Sequence, residues 1–150
     1  MDNVNAGAKM ARVYMAAGFG YLLVGTILLA LTLSEAIQFN VDAIFIMQLY
    51  GFVVMLIFGL SYVFAPGLSH AKYADYRTII VEFVLLNAGV IVLVSSLSGY
   101  ITRSTAQFTV LPALVFIILS VLIHVSNIWY IIGSKKLTAP RPPQTNPQSK

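Results

Sequence analysis

The chain has 150 residues, of which 59% are hydrophobic and only 9% are charged, and its mean hydropathy is +0.86. A soluble domain carries charge on about a quarter of its residues, so nine basic and five acidic side chains are too few to cover a water-soluble protein of this size. The absence of cysteine excludes disulfides, iron–sulfur clusters, thiolate zinc sites and cysteine nucleophiles. The net charge of +4 lacks the basic stripe with interleaved aromatics that nucleic-acid binding requires. No nucleic-acid partner is therefore expected.

Four apolar segments follow one another along the chain. We predict membrane-spanning helices at about residues 11–33, 43–65, 79–100 and 108–132, because each segment supplies the roughly 20 apolar residues that cross a bilayer. The segments are apolar on all sides, unlike the amphipathic helices of a soluble bundle. In lipid, the backbone must satisfy its own hydrogen bonds, which favours helices. The sequence thus predicts an all-α integral membrane protein, a bundle of four transmembrane helices formed by residues 1–136.

The basic residues indicate the orientation of the bundle. Eight of the nine lie before the first span, between the second and third spans, or after the fourth, and only Arg103 lies in the opposite loops. The positive-inside rule then places both termini on the cytoplasmic side. Residues 137–150, LTAPRPPQTNPQSK, hold four of the six prolines, and we predict a disordered cytoplasmic tail there. We expect a multi-pass protein of a prokaryotic-type plasma membrane, surrounded by bound lipid.

Glu82 is the acidic residue of the predicted third span, near its cytoplasmic start. One interpretation makes it a proton-relay carboxylate or the partner of a cation. The other makes it a carboxylate on the first turn of the helix, stabilised by the helix dipole and within reach of interfacial water. Both interpretations remain open at this point.

His124 lies in the predicted fourth span, with Ser120 and Asn127 on the same face at the i−4 and i+3 spacings. An intramembrane histidine could ligate heme or a metal, or carry protons. Alternatively, it is a neutral imidazole that is hydrogen-bonded across the bundle. A heme would need a second ligand, for which Met47 and His70 are the candidates, and a metal site of three ligands has too few candidates.

Other residues of the spans are interpreted as packing groups. Asn87 and Asn127 are expected to make interhelical hydrogen bonds, and small residues favour close approach of helices. Tyr21, Tyr50, Tyr62, Tyr100 and Trp129 are interpreted as interfacial anchors or packing residues. The residues that we expect to mediate helix packing and subunit contacts are Ala16, Gly20, Gly51, Gly59, Asn87, Ser120, His124 and Asn127.

Three segments also resemble subunit I of the heme–copper oxidases, in particular the C-type oxidases and nitric oxide reductases. In the second span, MQLYGFVVMLIFGLSYVFAPGL is similar to the family's second helix, with matches at Leu49, Tyr50, Gly51, Phe52, Gly59, Tyr62 and Pro66. The third span resembles the family's Phe-x-Leu-Leu-Asn-x-Gly pattern through Phe83, Leu85, Leu86, Asn87 and Gly89. The fourth resembles its Asn-Ile-Trp segment at Asn127, Ile128 and Trp129.

The chain departs from that family at the position that matters for redox chemistry. Where the family places the histidine ligand of its low-spin heme, this sequence has Ile44, Phe45, Ile46 and Met47. The later helices, which carry the copper ligands and the ligand of the second heme, have no counterpart. The resemblance therefore implies a four-helix scaffold without the family's redox site.

Three hypotheses for function follow. The first is a noncatalytic, accessory subunit of a larger membrane oxidoreductase complex (a terminal oxidase, a cytochrome complex or a copper membrane monooxygenase), with other integral membrane subunits as partners and no cofactor of its own. The second is a small b-type cytochrome or heme-handling protein that binds heme b through His124. The third is a proton or small-molecule transport protein that uses Glu82 and His124, although coupled transport usually needs a more polar pathway.

Overall fold

The structure, a computed structural model, describes residues 3–69 and 75–133. In this part of the chain every regular element is helical. The first helix is Asn3–Leu33, and the second runs without a break through Val41–Ile46, a π-helical segment Met47–Val54, and Met55–Ser69. The third helix is Tyr76–Leu97 and the fourth is Arg103–Gly133.

All four helices are long and apolar enough to cross a membrane, which confirms the prediction of an all-α fold with four such helices. The stretches that meet these criteria have 22 to 30 residues and are Gly7–Leu33, Val41–Pro66, Tyr76–Leu97 and Ser104–Gly133. Most of them extend beyond the predicted spans, because a helix continues through the polar residues that flank an apolar stretch. The predicted tail, residues 137–150, lies outside the described residues, as does His70.

Consecutive helices run in opposite directions because the described connections are short. Residues 34–40 and 98–102 join the first helix to the second and the third to the fourth, and the two connections meet where Asn40 N donates to Ser98 O at 3.3 Å. We call this the loop end of the bundle. The third helix begins at the opposite end, the Tyr76 end, where the second and fourth helices finish.

Local signals stop and start the helices at the loop end. The first helix closes with the two hydrogen bonds of a Schellman motif, Ala36 N to Leu31 O and Glu35 N to Thr32 O. This motif requires a residue in the left-handed conformation after the helix, and Glu35 adopts that conformation with φ 59°. Asn40 then caps the second helix, since its side-chain oxygen accepts from Asp42 N at 2.9 Å.

The first and second helices approach each other closely through glycines. A Cβ on Gly51 would lie 2.5 Å from Cγ of Tyr21, and a Cβ on Gly59 would lie 3.1 Å from the carbonyl oxygen of Ala11. No larger side chain fits at Gly51 without movement of its neighbours. The face of the first helix toward the second repeats at alternating intervals of three and four residues and consists of Ala11, Tyr14, Gly18, Tyr21 and Gly25.

The predicted small-residue pair of the first helix lies on another face. Ala16 and Gly20 are both exposed, and a Cβ on Gly20 would meet no atom within 4 Å. Gly51 and Gly59, by contrast, are buried against the first helix of the same chain. Of these four residues, only Ala16 and Gly20 are therefore placed where a second membrane protein could touch them.

Candidate functional site: a buried glutamate–histidine cluster

Glu82 lies in the interior of the bundle with none of its surface exposed. It is six residues into the third helix, roughly 9 Å along the axis from Tyr76. The interpretation that Glu82 sits on the first turn within reach of interfacial water is therefore wrong. A buried carboxyl group is costly unless it is hydrogen-bonded, and the other three helices supply its partners.

Four side chains surround the carboxyl group. Tyr14 of the first helix donates to Oε1 at 2.7 Å, and Tyr62 of the second donates to Oε2 at 2.5 Å. From the fourth helix, Asn127 Nδ2 donates to Oε2 at 3.2 Å and His124 Nδ1 lies 3.0 Å from Oε1. We call Tyr14, Tyr62, Glu82, His124 and Asn127 the Glu82 cluster. One carboxyl group thus holds all four helices together.

His124 is only 7% exposed, and both of its ring nitrogens are in hydrogen bonds. Nδ1 faces Glu82, and Nε2 lies 2.8 Å from the hydroxyl of Ser61. The ring is stacked on Phe58, with centroids 3.7 Å apart and planes within 2° of parallel, and the edge of Tyr62 closes another side. The second and fourth helices therefore fix the position and the tilt of the imidazole.

Asn127 connects the cluster to the surface. Its Nδ2 also donates to the hydroxyl of Tyr62 at 3.0 Å, while its Oδ1 accepts from the hydroxyl of Thr78 at 3.2 Å. Thr78 is exposed, one helical turn before Glu82 on the third helix. Beside it lies a groove of about 190 Å³ lined by Arg77, Thr78, Val81 and Ile123.

Small residues place the helices near enough for these contacts. Gly59 lets the first helix approach the second beside Tyr14, whose Cβ would lie 3.1 Å from a Cβ added at Gly59. Gly89 does the same for the third and fourth helices, since a Cβ there would lie 2.9 Å from the carbonyl oxygen of Ala113. Ser120 is fully buried between the same two helices and donates to the backbone oxygen of Glu82 at 3.1 Å.

Asn87 makes a separate interhelical contact nearer the loop end. It accepts from the hydroxyl of Tyr21 at 3.0 Å and donates to the backbone oxygen of Phe83 at 2.8 Å. No hydrogen bond of the described residues joins this pair to the Glu82 cluster. In that part of the chain every buried side-chain nitrogen and oxygen has a hydrogen-bond partner.

The structure brings together some of the sequence-predicted site residues and separates others. Ser120, His124 and Asn127 share one interior face of the fourth helix with Glu82 as their common neighbour. Met47, the proposed second heme ligand, lies eleven residues before Phe58, the residue that contacts His124. Most of that stretch is π-helical, so the spacing corresponds to roughly two to three turns of helix. Met47 and His124 are therefore not arranged to bind one heme.

Four residues of the site were not predicted from the sequence. Tyr62 was interpreted as an anchor or packing residue, and Tyr14, Ser61 and Thr78 received no role. A signal was present for Tyr14, because it lies between Ala11 and Gly18 on the face of the first helix that small residues open to close packing. The requirement that a buried carboxyl group find donors could have directed attention to the tyrosines of the other spans. Within the described residues, no group of three His, Cys, Asp or Glu side chains could hold a metal ion.

Comparison with protein-family models, with curated proteins and with solved structures gives no match to this chain. The resemblance to subunit I of the heme–copper oxidases therefore stays a prediction that depends on its motifs.

Proposed function

We propose that this chain is a noncatalytic membrane subunit that works inside a larger assembly and contributes helix contacts rather than chemistry. The observation that supports the proposal most is how the interior polar groups are used. The carboxyl group of Glu82, both ring nitrogens of His124 and the amide of Asn127 are all bonded within the chain. The cluster thus joins four helices and offers no unpaired group to a substrate.

The proposed contact with a partner subunit lies on the outer surface of the first helix. The first helix presents Ala16 and Gly20 outward, a small-xxx-small pair that lets another helix approach its backbone. Large apolar side chains flank the pair, with Phe19 56% and Leu23 64% exposed. Association in lipid depends on such close packing, because lipid tails are as apolar as the helices. We propose this face as the contact with another integral membrane subunit.

The resemblance to subunit I of the heme–copper oxidases makes a membrane oxidoreductase complex the proposed host. Within that complex the chain would act as a scaffold without heme, since Ile44 and Met47 stand where the family has its heme ligand. Against a cytochrome function, an iron at His124 would have to displace Ser61 from Nε2 or Glu82 from Nδ1. The stacked Phe58 ring also covers the imidazole face.

Co-purification from native membranes in mild detergent tests the subunit proposal. Ala16→Leu with Gly20→Leu should abolish recovery of the partner while the bundle stays folded, because both positions are exposed. Gly133→Leu is the matched control, since a Cβ there also meets nothing within 4 Å. Gly51→Leu and Gly59→Leu instead disturb the fold itself and cannot serve this test. Purification of the unaltered protein alone, at every detergent strength, would contradict the proposal.

We also propose that the termini are cytoplasmic and that the protein resides in the plasma membrane, as the distribution of basic residues indicates. The chain contains no cysteine, so single cysteines report position without background. Cysteines at Asn40 and Thr105, at the loop end, should react with an impermeant thiol reagent in intact cells. Cysteines at Ala74 and Thr145 should react only after permeabilisation, and labelling of Ala74 from outside would reverse the orientation.

A further inference from the structure

The π-helical segment of the second helix carries two polar side chains that the bundle itself does not use. Gln48 and Tyr50 are half-buried, and neither side chain makes a hydrogen bond to any of the described residues. Asn87, Ser120 and Asn127, by contrast, all bond to neighbouring helices. Since every fully buried polar atom of the described residues has a partner, the amide of Gln48 and the hydroxyl of Tyr50 reach the outer surface.

Gln48 lies at the depth of the hydrocarbon core of a bilayer. It is seven residues after Val41, where the 26-residue apolar span begins, and hence roughly 10 Å along the helix. A span of about 39 Å exceeds a core of about 30 Å by only a few ångströms at each end. The amide is seated on the first helix, because its nitrogen would lie 3.2 Å from a Cβ added at Gly25. No water reaches an amide at this depth, and lipid tails offer it no partner.

An exposed apolar stripe runs between the two polar groups on the outer face of the second helix. Its members are 39–59% exposed and are Phe45, Leu49, Val53 and Ile57. A repeat of four residues drifts around an α-helix, which has 3.6 residues per turn. The wider turns of the π-helical segment offset this drift, so the stripe keeps one direction. Gln48 and Tyr50 are the sequence neighbours of Leu49 and therefore flank the stripe on opposite sides.

We propose that this stripe is the contact between two copies of the chain, with Gln48 of each copy hydrogen-bonded to Tyr50 of the other. Two copies that insert in the same orientation are related by a two-fold axis along the membrane normal. Such a contact pairs each residue with a group at similar depth, and every pairing occurs twice. Leu49 then meets its own counterpart, while the hydroxyl of Tyr50 donates to the amide oxygen of Gln48.

A second copy is the occupant that satisfies both polar groups. One side of the stripe carries an acceptor and the other a donor, so a single symmetry operation pairs the two groups twice. An unrelated helix would need a donor and an acceptor at the same two positions, and an acyl chain has neither. Burial of apolar surface contributes little in lipid, so hydrogen bonds and close packing decide which helices associate. The contact rests on the membrane placement of the bundle and is separate from the Ala16–Gly20 face of the first helix.

Single-molecule photobleaching of the labelled full chain in liposomes counts the copies directly as lipid is added. We expect the unaltered protein to be dimeric at high protein density and to dissociate on dilution. Gln48→Leu and Tyr50→Phe should each shift the midpoint of dissociation about tenfold toward higher protein density, because each removes both hydrogen bonds. Ser126→Ala is the control, since the exposed hydroxyl of Ser126 bonds to its own helix. A chain that is monomeric at every density, which no variant is needed to see, or a dimer that neither variant weakens, would overturn the proposal.

Disulfide crosslinking in native membranes tests the geometry of the contact. The chain has no cysteine, and Leu49→Cys should give a crosslinked dimer on oxidation because the two copies of this residue meet. Leu111→Cys is the matched control, exposed at a similar depth on the fourth helix, and should stay monomeric. Equal crosslinking of the two variants, or none at Leu49, would overturn the contact.

A different partner on this face would be recognised by the same variants. Release of another membrane protein by Gln48→Leu, without a crosslink at Leu49, would assign the stripe to that protein and overturn the pairing of two copies. Loss of a partner subunit in Ala16→Leu with Gly20→Leu should leave the Leu49 crosslink unchanged. Failure of the proposed subunit contact is therefore distinguishable from failure of the dimer.

Discussion

The two ends of the bundle are held together by different interactions. Toward the Tyr76 end, one carboxyl group collects hydrogen bonds from three other helices. Toward the loop end, the helices rely on close packing of apolar and glycine residues, with isolated polar contacts such as Tyr21–Asn87 and Ser96–Thr109. The difference shows that a bundle with few polar residues can concentrate them in one place, where each satisfies the others, rather than distribute them as separate pairs.

The largest expected effect comes from removal of the central carboxyl group. Glu82→Ala leaves Tyr14, Tyr62 and Asn127 without their acceptor and leaves His124 without its partner. Loss of one member of a buried pair typically costs about 3–5 kcal/mol of unfolding free energy. Reversible unfolding in mixed detergent micelles measures it. If Ser96→Ala at the loop end proves as destabilising, the proposed difference between the two ends is refuted.

A matched pair of tyrosine variants compares the ends directly. Tyr14→Phe removes a hydrogen bond to a carboxyl group that accepts from three side chains, as an ionised carboxylate does, and bonds to charged groups contribute about 1.5–3 kcal/mol. Tyr21→Phe removes a bond between neutral groups, for which about 0.6 kcal/mol is typical in a membrane. The same unfolding measurement should therefore rank Tyr14→Phe well above Tyr21→Phe. The reverse order would mean that the Glu82 cluster contributes little to stability.

Packing between the first and second helices is tested by adding one methyl group. Gly51→Ala places a Cβ against the ring of Tyr21, and overpacking of this kind typically costs about 1–3 kcal/mol. Gly20→Ala is the control on the same bundle, because a Cβ there meets nothing within 4 Å, and it should be neutral or slightly stabilising. Equal stability of the two variants would show that the interface can open to admit a side chain.

The smallest effect is expected at the turn after the first helix. Glu35 has φ 59°, a conformation that costs a residue with a Cβ roughly 1–2 kcal/mol. Glu35→Gly relieves this cost but increases the freedom of the unfolded chain, so a net stabilisation of up to about 1 kcal/mol is expected. The midpoint of thermal unfolding should rise slightly. A fall would indicate that the Glu35 side chain has a stabilising contact of its own.

Composition and the distribution of charge were sufficient to predict four apolar helices, because the length and hydrophobicity of each span are local properties of the chain. They also drew attention to Glu82, His124 and Asn127 as rare polar residues inside those spans. The contacts between side chains of different helices are not a local property, because they depend on the rotation of each helix about its axis. An apolar helix carries no amphipathic pattern that fixes this rotation, so the sequence could suggest tyrosines as donors to Glu82 but could not show that Tyr14, Tyr62 and Ser61 are the residues that meet it or His124.

Tertiary structure decided the environment of each polar group. Close approach at Gly59 and Gly89 brings Tyr14 and Ser120 to the third helix, and this turns Glu82 from a residue near a helix end into the fully buried centre of the bundle. It also separates Met47 from His124 and turns Ala16 and Gly20 outward. The physical reason is that helix propensity acts within a span, whereas the hydrogen-bond partners of the Glu82 carboxyl group come from other helices, 20 to 68 positions away along the chain.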